Sequence, residues 1–198
     1  MSASSQDPDR AVPDRPMLRG DRIWLRPLEQ RDMPAFAAGV NDAEVGVPAG
    51  YRWPTSVDQA KAWLERQQES VNRGDAFYFA VCELGDDRFV GTTWLKEVNW
   101  VDGNAELAIF MDHEHIGAGW GTDAQRTLLA FGLGTLGMAR VWLTVDADNA
   151  RAIRSYEKVG FRQEGVMRRA RRGPSGLADA VLMAILADEW RDPGEPQG

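Results

Sequence analysis

The chain has 198 residues, 43% of them hydrophobic and 27% charged, with a formal net charge of -7. That length suits one ordinary domain burying roughly 70% of the surface its unfolded chain exposes, and the composition excludes a disordered chain, a collagen or fibre, and a membrane span. The negative balance argues against broad nucleic-acid or anionic-membrane binding and favours the approach of cationic small molecules.

Residues 1–17 are Ser, Asp, Arg and Pro with almost nothing to bury and no apolar run of the kind a secretory signal needs, so they read as a disordered leader. Residues 18–191 carry no internal repeat or low-complexity linker and read as one domain, and the Pro/Gly-rich residues 192–198 as a flexible tail. Ile23 to Arg26 predicts a short strand ending at Pro27, after which Asp32 and Pro34 supply the cap and first-turn proline of a helix through Phe36 and Val40. Beyond Thr55 and Ser56, apolar Val57, Ala60, Trp63, Leu64 and Val71 recur at helical spacing, with Asp58, Lys61, Glu65 and Arg66 between them. The period then changes. Phe77 to Glu83 and Phe89 to Lys96 read as an antiparallel hairpin about Gly85-Asp86-Asp87. Cys82, the only cysteine, falls in the first of these strands and reads as a small buried hydrophobe. It has no intrachain disulfide partner, and a reducing cytoplasm is the expected location.

Asp102-Gly103-Asn104 is a further turn, opening a strand from Ala105 to Met111 in which Glu106 shares a face with Ala108 and Phe110. His113 and His115 follow; without a cysteine or carboxylate cluster to complete a site they read as a solvated loop, and no metal is expected. A helix from Thr122 to about Leu136 has Ala124, Leu128, Phe131 and Thr135 on one side and Gly137 at its end. Val141 to Val145 is continuously apolar or β-branched, as in a strand covered on both faces. Asp148 or Asn149 caps a helix to about Lys158, Gly160 stops it, and Phe161 to Met167 and Ala178 to Leu186 are two closing strands. The fold class is mixed α/β, with both parallel and antiparallel pairing.

Between the strand ending at Met111 and the helix beginning at Thr122 stand three glycines at alternate positions, Gly117, Gly119 and Gly121. Free backbone N–H groups at a helix start suit an anion, and a phosphate is the expected ligand. The loop lacks the Gly-Lys-Ser/Thr ending of a Walker loop, and its third glycine comes too early for a dinucleotide fingerprint, although Asp146 imitates the acidic residue of that motif.

The run Gly119-Trp120-Gly121-Thr122-Asp123-Ala124, followed by Asp148-Asn149-Ala150-Arg151-Ala152-Ile153-Arg154-Ser155-Tyr156-Glu157-Lys158-Val159-Gly160-Phe161, resembles the GNAT superfamily of acyl-CoA-dependent N-acetyltransferases. Leu18 to Leu28 and Glu164-Gly165-Val166-Met167-Arg168 resemble the branch holding the ribosomal-protein N-terminal, spermidine and some aminoglycoside acetyltransferases. The resemblance covers about Leu18 to Glu189. It implies a mixed central sheet with flanking helices, in which two splayed parallel strands, Ala105 to Met111 and Val141 to Val145, form a cleft for acetyl-CoA as co-substrate. The pyrophosphate suits the loop Gly117, Ala118, Gly119, Trp120, Gly121 and Thr122, and the pantetheine amides can pair with the backbone of Ile109, Phe110 and Met111. Ile116 stands where the family usually carries Gln or Arg, so backbone N–H groups must hold the phosphates. Asn149 is implied as a pantetheine contact, compatible with a role as helix cap, and Ala152 and Ser155 as further donor-binding positions.

Transfer from a thioester to an amine needs a neutral amine, a site for the carbonyl's developing charge and a proton for the departing thiolate. Glu106 is the candidate base, directly or through water. Tyr156 is the candidate acid, and a backbone N–H near Phe110 or Met111 would polarise the carbonyl. Trp53 and Trp100, in loop-like sequence, are candidates for the acceptor site, whereas Trp24, Trp63 and Trp94 read as core. The implied function is direct acetyl transfer in a ternary complex to a primary amine, either a protein N-terminus or a small polyamine or aminoglycoside. The competing readings are a non-catalytic acyl-CoA-binding domain and a nucleic-acid module using Arg168, Arg169, Arg171 and Arg172; the latter run reads first as a solvated face. No membrane or nucleic-acid partner is expected; a homodimer is admitted, with nothing in the sequence to select it.

Overall fold

The computed structural model describes residues 17–51, 53–173 and 176–191; residues 1–16 of the expected leader and the expected tail, 192–198, lie outside the described residues. Eight strands form one sheet: β1 (Leu18–Arg19), β2 (Ile23–Pro27), β3 (Phe77–Glu83), β4 (Phe89–Asn99), β5 (Asn104–Met111), β6 (Arg140–Asp146), β7 (Arg162–Gly173) and β8 (Gly176–Leu186). Their order is β1-β2-β3-β4-β5-β6-β8-β7, so the last strand in sequence slots between β6 and β7. Every pairing is antiparallel except β5 with β6.

Strand alternation divides the core in two. Ile23, Leu25, Phe79 and Val81 face one layer with Leu107, Leu128, Val141, Leu143 and Ile185. Trp24, Ala80, Cys82 and Phe110 face the other, where they meet Met33, Phe36 and Val40 of α1 (Met33–Val40) and Ala60 and Leu64 of α3 (Val57–Arg73), with the short α2 (Ala43–Gly46) between the two helices in sequence. The first layer is closed by α4 (Trp120–Leu129) and α5 (Ala150–Lys158).

Local chemistry explains the helix ends. Ser56 and Gln59 cap α3 reciprocally, the Ser56 hydroxyl accepting from the Gln59 N–H at 3.1 Å and the Gln59 carbonyl from the Ser56 N–H at 2.8 Å. Asp32 precedes α1 as expected but does not cap it: its carboxylate takes two bonds from Arg26, 2.7 and 2.8 Å, and one from the Glu29 N–H. With Arg26 and Asp32 both about 5% exposed or less, this is a buried ion pair whose breakage leaves an uncompensated charge.

Two expectations are corrected. The helix after the glycine loop is not uniform to Leu136; Ala130–Thr135 is a π-helical turn. The wider turn rotates the later residues, so Phe131 packs edge-on against Phe77 and Phe79 at 5.3 and 5.5 Å, Leu133 turns inward, and Thr135 is exposed. Nor is β6 covered on both faces: Val141, Leu143 and Val145 are buried, while Trp142 and Thr144 are only partly so. The core beneath α1 and α3 contains no residue of β6, which leaves that face open.

The parallel pair decides the architecture of the site. β5 and β6 are joined only at Asn104–Arg140, Ala105–Val141 and Glu106–Trp142. Past these rungs β5 continues paired with β4 as far as Met111, and β6 with β8 as far as Asp146. Each neighbour pulls its strand away, and a wedge opens between them.

Candidate active site

The wedge is the mouth of a cavity of about 550 Å³ whose lining includes Glu106 to Met111 of β5, Thr144 to Asp146 of β6, the glycine loop and one face of α5. Facing strand edges that have lost each other leave N–H and C=O groups free to pair with an extended ligand. Ile109, Phe110 and Met111 are on that edge.

Past Met111, at the end where the strands have parted, Gly117 and Gly119 have φ of +85° and +91°, in the left-handed region that glycine enters without penalty. A Cβ at either would meet open space, so conformation alone demands glycine there. α4 starts at Trp120, and the N–H groups of its first turn have no partner within the helix. Gly117, Gly119, Gly121 and Thr122 line the cavity. Ala118 does not: its carbonyl turns outward and accepts from the Arg22 guanidinium at 3.0 Å. The Trp120 ring also lies outside the lining, edge-on to His115 at 4.9 Å.

α5 and its cap bring four of the expected residues to the wedge. Asn149 caps the helix, its side chain accepting from the Ala152 N–H at 3.1 Å, and both residues line the cavity. Ser155 lies 3.1 Å from the Thr122 hydroxyl and donates to Gln125 at 3.3 Å, fastening α5 to α4. One residue on, Tyr156 is 8% exposed, packs edge-on against Phe161 at 5.7 Å and lines the cavity. Burial pushes its phenol up to about 12, against the opposing charge of Arg171. Its hydroxyl has no hydrogen bond to any described residue.

Glu106 lies across the wedge floor and is paired in register with Lys96 of β4, whose ammonium is 3.0 Å from its carboxylate. Lys96 was not an expected site residue. Counting outward from the Asp102-Gly103 turn does not reach it directly, because a bulge between Lys96 and Asn99, with Glu97 at φ +52°, shifts the register. Arg171 is the second unexpected neighbour. A bulge between Met167 and Arg171 turns it out of the solvated arginine run and into the cavity, where it donates to the Thr144 carbonyl and hydroxyl at 3.0 and 2.6 Å. Its Nε is 3.5 Å from Asp146 Oδ1, a buried oxygen with no hydrogen-bond partner.

On the side of β5 toward α1 and α2 the cavity is walled by Glu44, Val45, Tyr51 and Trp94. Tyr51 rests edge-on against Phe36, and burial raises its phenol to about 12. Trp94, read as core, supplies this wall, whereas Trp53 and Trp100 are 75% and 51% exposed and do not line this cavity. Nor is His115 a solvated side chain: it is buried, bonded to Asp112, and borders the cavity. His113 is exposed near Asp42 and Glu44. Among the described residues no group of three or more His, Cys, Asp or Glu is placed to hold a metal ion, and no helix is long and apolar enough to cross a membrane.

The lining carries charge of both signs: Arg151, Arg154 and Lys158 of α5 with Lys96 and Arg171, and the acids Glu44, Glu106 and Asp146.

Residues 22–162 match the family model of an acetyltransferase (GNAT) domain. The chain is 29% identical over 177 residues to spermidine N(1)-acetyltransferase of Escherichia coli strain K12, covering 85% of this chain and 88% of the relative. It is 24% identical over 173 residues to the uncharacterized N-acetyltransferase p20 of Bacillus licheniformis, covering 87% and 97%. Among solved structures it matches spermidine N-acetyltransferase from Vibrio cholerae in complex with CoA and spermine, with a TM-score of 0.74 at 23% identity over 84% of this chain and 96% of that one. It also matches Mycobacterium smegmatis RimJ in complex with CoA-disulfide, with a TM-score of 0.75 at 21% identity over 84% and 83%.

Proposed function

The chain belongs to the GNAT acetyltransferase family and is an N-acetyltransferase, and we propose that it moves an acetyl group from acetyl-CoA directly to a primary amine of a small polycationic acceptor. The observation that carries the reading is the wedge itself: strand edges that part after Glu106 and Trp142, with Tyr156 in one wall and Glu106 in the other.

Acetyl-CoA fits this setting chemically. Its diphosphate suits the glycine loop and the cations of α5, and its pantetheine amides suit the unpaired edge of β5 from Ile109 to Met111. The donor positions are Gly117 to Thr122 through their backbone, together with Asn149, Ala152 and Ser155. A backbone N–H near Phe110 or Met111 polarises the thioester carbonyl. Glu106 takes a proton from the attacking amine, directly or through water, the C–N bond forms, and the C–S bond breaks toward Tyr156.

Tyr156 acts by hydrogen bond more than by full proton transfer. With its phenol near 12 and an ordinary thiol near 8.5, complete transfer to the thiolate would be uphill by ~5 kcal/mol. The aromatic and acidic residues of the lining, Glu44, Tyr51, Trp94 and Glu106, suit an ammonium-bearing chain through charge and cation–π contacts. The E. coli relative carries the name of a spermidine acetyltransferase, which supports a polyamine over a protein N-terminus or an aminoglycoside. Thiol release from acetyl-CoA, measured with spermidine, spermine, aminoglycosides and N-terminal peptides, tests this directly. Turnover with a polyamine is expected; turnover only with peptides would replace the acceptor, and acetyl-CoA binding without turnover on any amine would remove the catalytic assignment.

A further inference from the structure

β6 presents two faces. Val141, Leu143 and Val145 point into the core closed by α4 and α5, so Trp142, Thr144 and Asp146 point the other way, onto the face that α1 and α3 leave open. Glu106 is on that same face: it stands in register with Trp142, and its neighbours Ala105 and Leu107 belong to the core under α4 and α5. One uncovered strand surface therefore carries the candidate base where the wedge opens and a second carboxylate at the end of β6. Asp146 is four residues beyond Trp142. At about 3.3 Å per residue, that is ~13 Å of strand.

The two carboxylates are not equally provided for. Glu106 has the Lys96 ammonium at 3.0 Å. Asp146 Oδ1 is the one buried side-chain nitrogen or oxygen among the described residues with no hydrogen-bond partner. A carboxylate oxygen withdrawn from water without a donor is costly, and such groups call for a ligand, ion or water that completes them. Arg171 is the charged group opposite, and among the described residues it is the only ion-pair partner of Asp146. Its Nε is 3.5 Å from Oδ1, too far for a charge-assisted bond, which closes to about 2.7–2.9 Å. The guanidinium bonds instead to the Thr144 carbonyl and hydroxyl at 3.0 and 2.6 Å. Arg171, tied to Thr144, thus offsets part of the charge without supplying the missing hydrogen bond. The Asp146 side chain is 14% exposed and lines the cavity, so a second cation can approach the carboxylate from there.

We infer that Asp146 is a specificity-determining residue for the acceptor: it seats a second ammonium of the amine whose first nitrogen attacks beside Glu106, and so selects acceptors long enough to reach both carboxylates. The inference deepens the proposed function and rests on the acceptor being polycationic. A monoamine or a short diamine engages the Glu106 end alone. An acceptor with charged nitrogens ~13 Å apart engages both ends, and the added charge-assisted hydrogen bond is worth about tenfold or more in affinity.

The test is thiol release from acetyl-CoA by the full chain and by Asp146→Asn, with diaminobutane, diaminooctane and diaminodecane as acceptors. Octylamine, which has the length without the second charge, separates charge from chain. Calorimetric binding of acetyl-CoA to both proteins shows whether the variant keeps its fold and its donor site, and the wild-type series needs no substitution at all. In the wild-type chain the two long diamines should have KM values on the order of tenfold below those of diaminobutane and octylamine. Asp146→Asn should raise KM for the long diamines by the same factor, leaving kcat, diaminobutane turnover and acetyl-CoA affinity unchanged. A wild-type KM independent of length and second charge, or equal losses for short and long diamines in the variant, overturns the inference and leaves the proposed function standing. Loss of acetyl-CoA affinity in the variant overturns it too, making Asp146 a donor contact. Acetyl-CoA binding without turnover on any amine overturns both.

Discussion

Replacing Tyr156 by Phe isolates the hydroxyl from everything else the residue does. The ring is 8% exposed and packs on Phe161, and Phe preserves both. The hydroxyl has no bond to a described residue, so its loss should change stability by no more than about 0.5 kcal/mol. A donor held against a developing thiolate is worth about 1.5–3 kcal/mol, so kcat should fall roughly 10- to 150-fold. Burial holds the phenol near 12, so it stays protonated and no loss of rate on the alkaline side up to about pH 10 should trace to it. Steady-state thiol release at saturating acetyl-CoA gives kcat, calorimetry gives donor affinity, and a thermal melt gives stability. The reasoning is refuted by an unchanged kcat, by kcat and donor affinity falling together, or by a melting temperature lowered by more than about 1–2 °C.

Glu106→Gln should lower kcat by about 10²–10³ with acetyl-CoA binding intact, and donor affinity falling in parallel would make Glu106 a binding residue instead. Lys96→Met removes the ammonium that competes for the same carboxylate, so the KM for a cationic acceptor should drop; a rise would show that Lys96 helps seat the acceptor. Partial burial pushes the Asp87 carboxyl upward, but bonds from Arg31 and Arg26 outweigh it and hold the group below its ordinary value of 3.8. Its stabilisation is therefore complete above about pH 4 and lost as pH falls through the depressed value. Asp87→Asn should lower stability at pH 7 and flatten the decline below pH 4 in urea titrations. Burial raises the Cys82 thiol to about 12, so a disulfide reagent at pH 8 should leave it untouched in the folded chain and modify it at once in denaturant.

Much of this molecule is legible in its residues because local rules and tertiary packing agree. The turns at Gly85-Asp86-Asp87 and Asp102-Gly103 stand where sequence reading puts them, and of the two residues it offers for each cap, Thr55 or Ser56 and Asp148 or Asn149, the second is the cap in both cases. Strand alternation fixes the face of Glu106, while Tyr156 was singled out by the resemblance and not by local spacing; both line the cavity. What escaped is long-range. Lys96 and Arg171 reach the cavity through bulges that change which face a residue occupies, and no local signal announces a bulge of this kind. Tyr51 and Trp94 line the same cavity as Glu106 only because α1 and α3 pack over β2 to β5, and the π-helical turn after Leu129 goes with contacts of Phe131 to two aromatics distant in sequence.

The outermost strand has a consequence for the chain in a crowd. β7 runs for 12 residues at the margin of the sheet with nearly all of its side chains in solvent, including apolar Val166 and Met167. A long bare margin of this sort is a template onto which a neighbouring polypeptide can zip. Two interruptions of its ladder and the guanidinium groups of Arg168, Arg169 and Arg172 spoil that template, since a second copy approaching in register would bring like charges together. Neutralising those three positions should leave acetyl transfer in dilute solution unaltered and shorten the time the protein stays clear at high concentration.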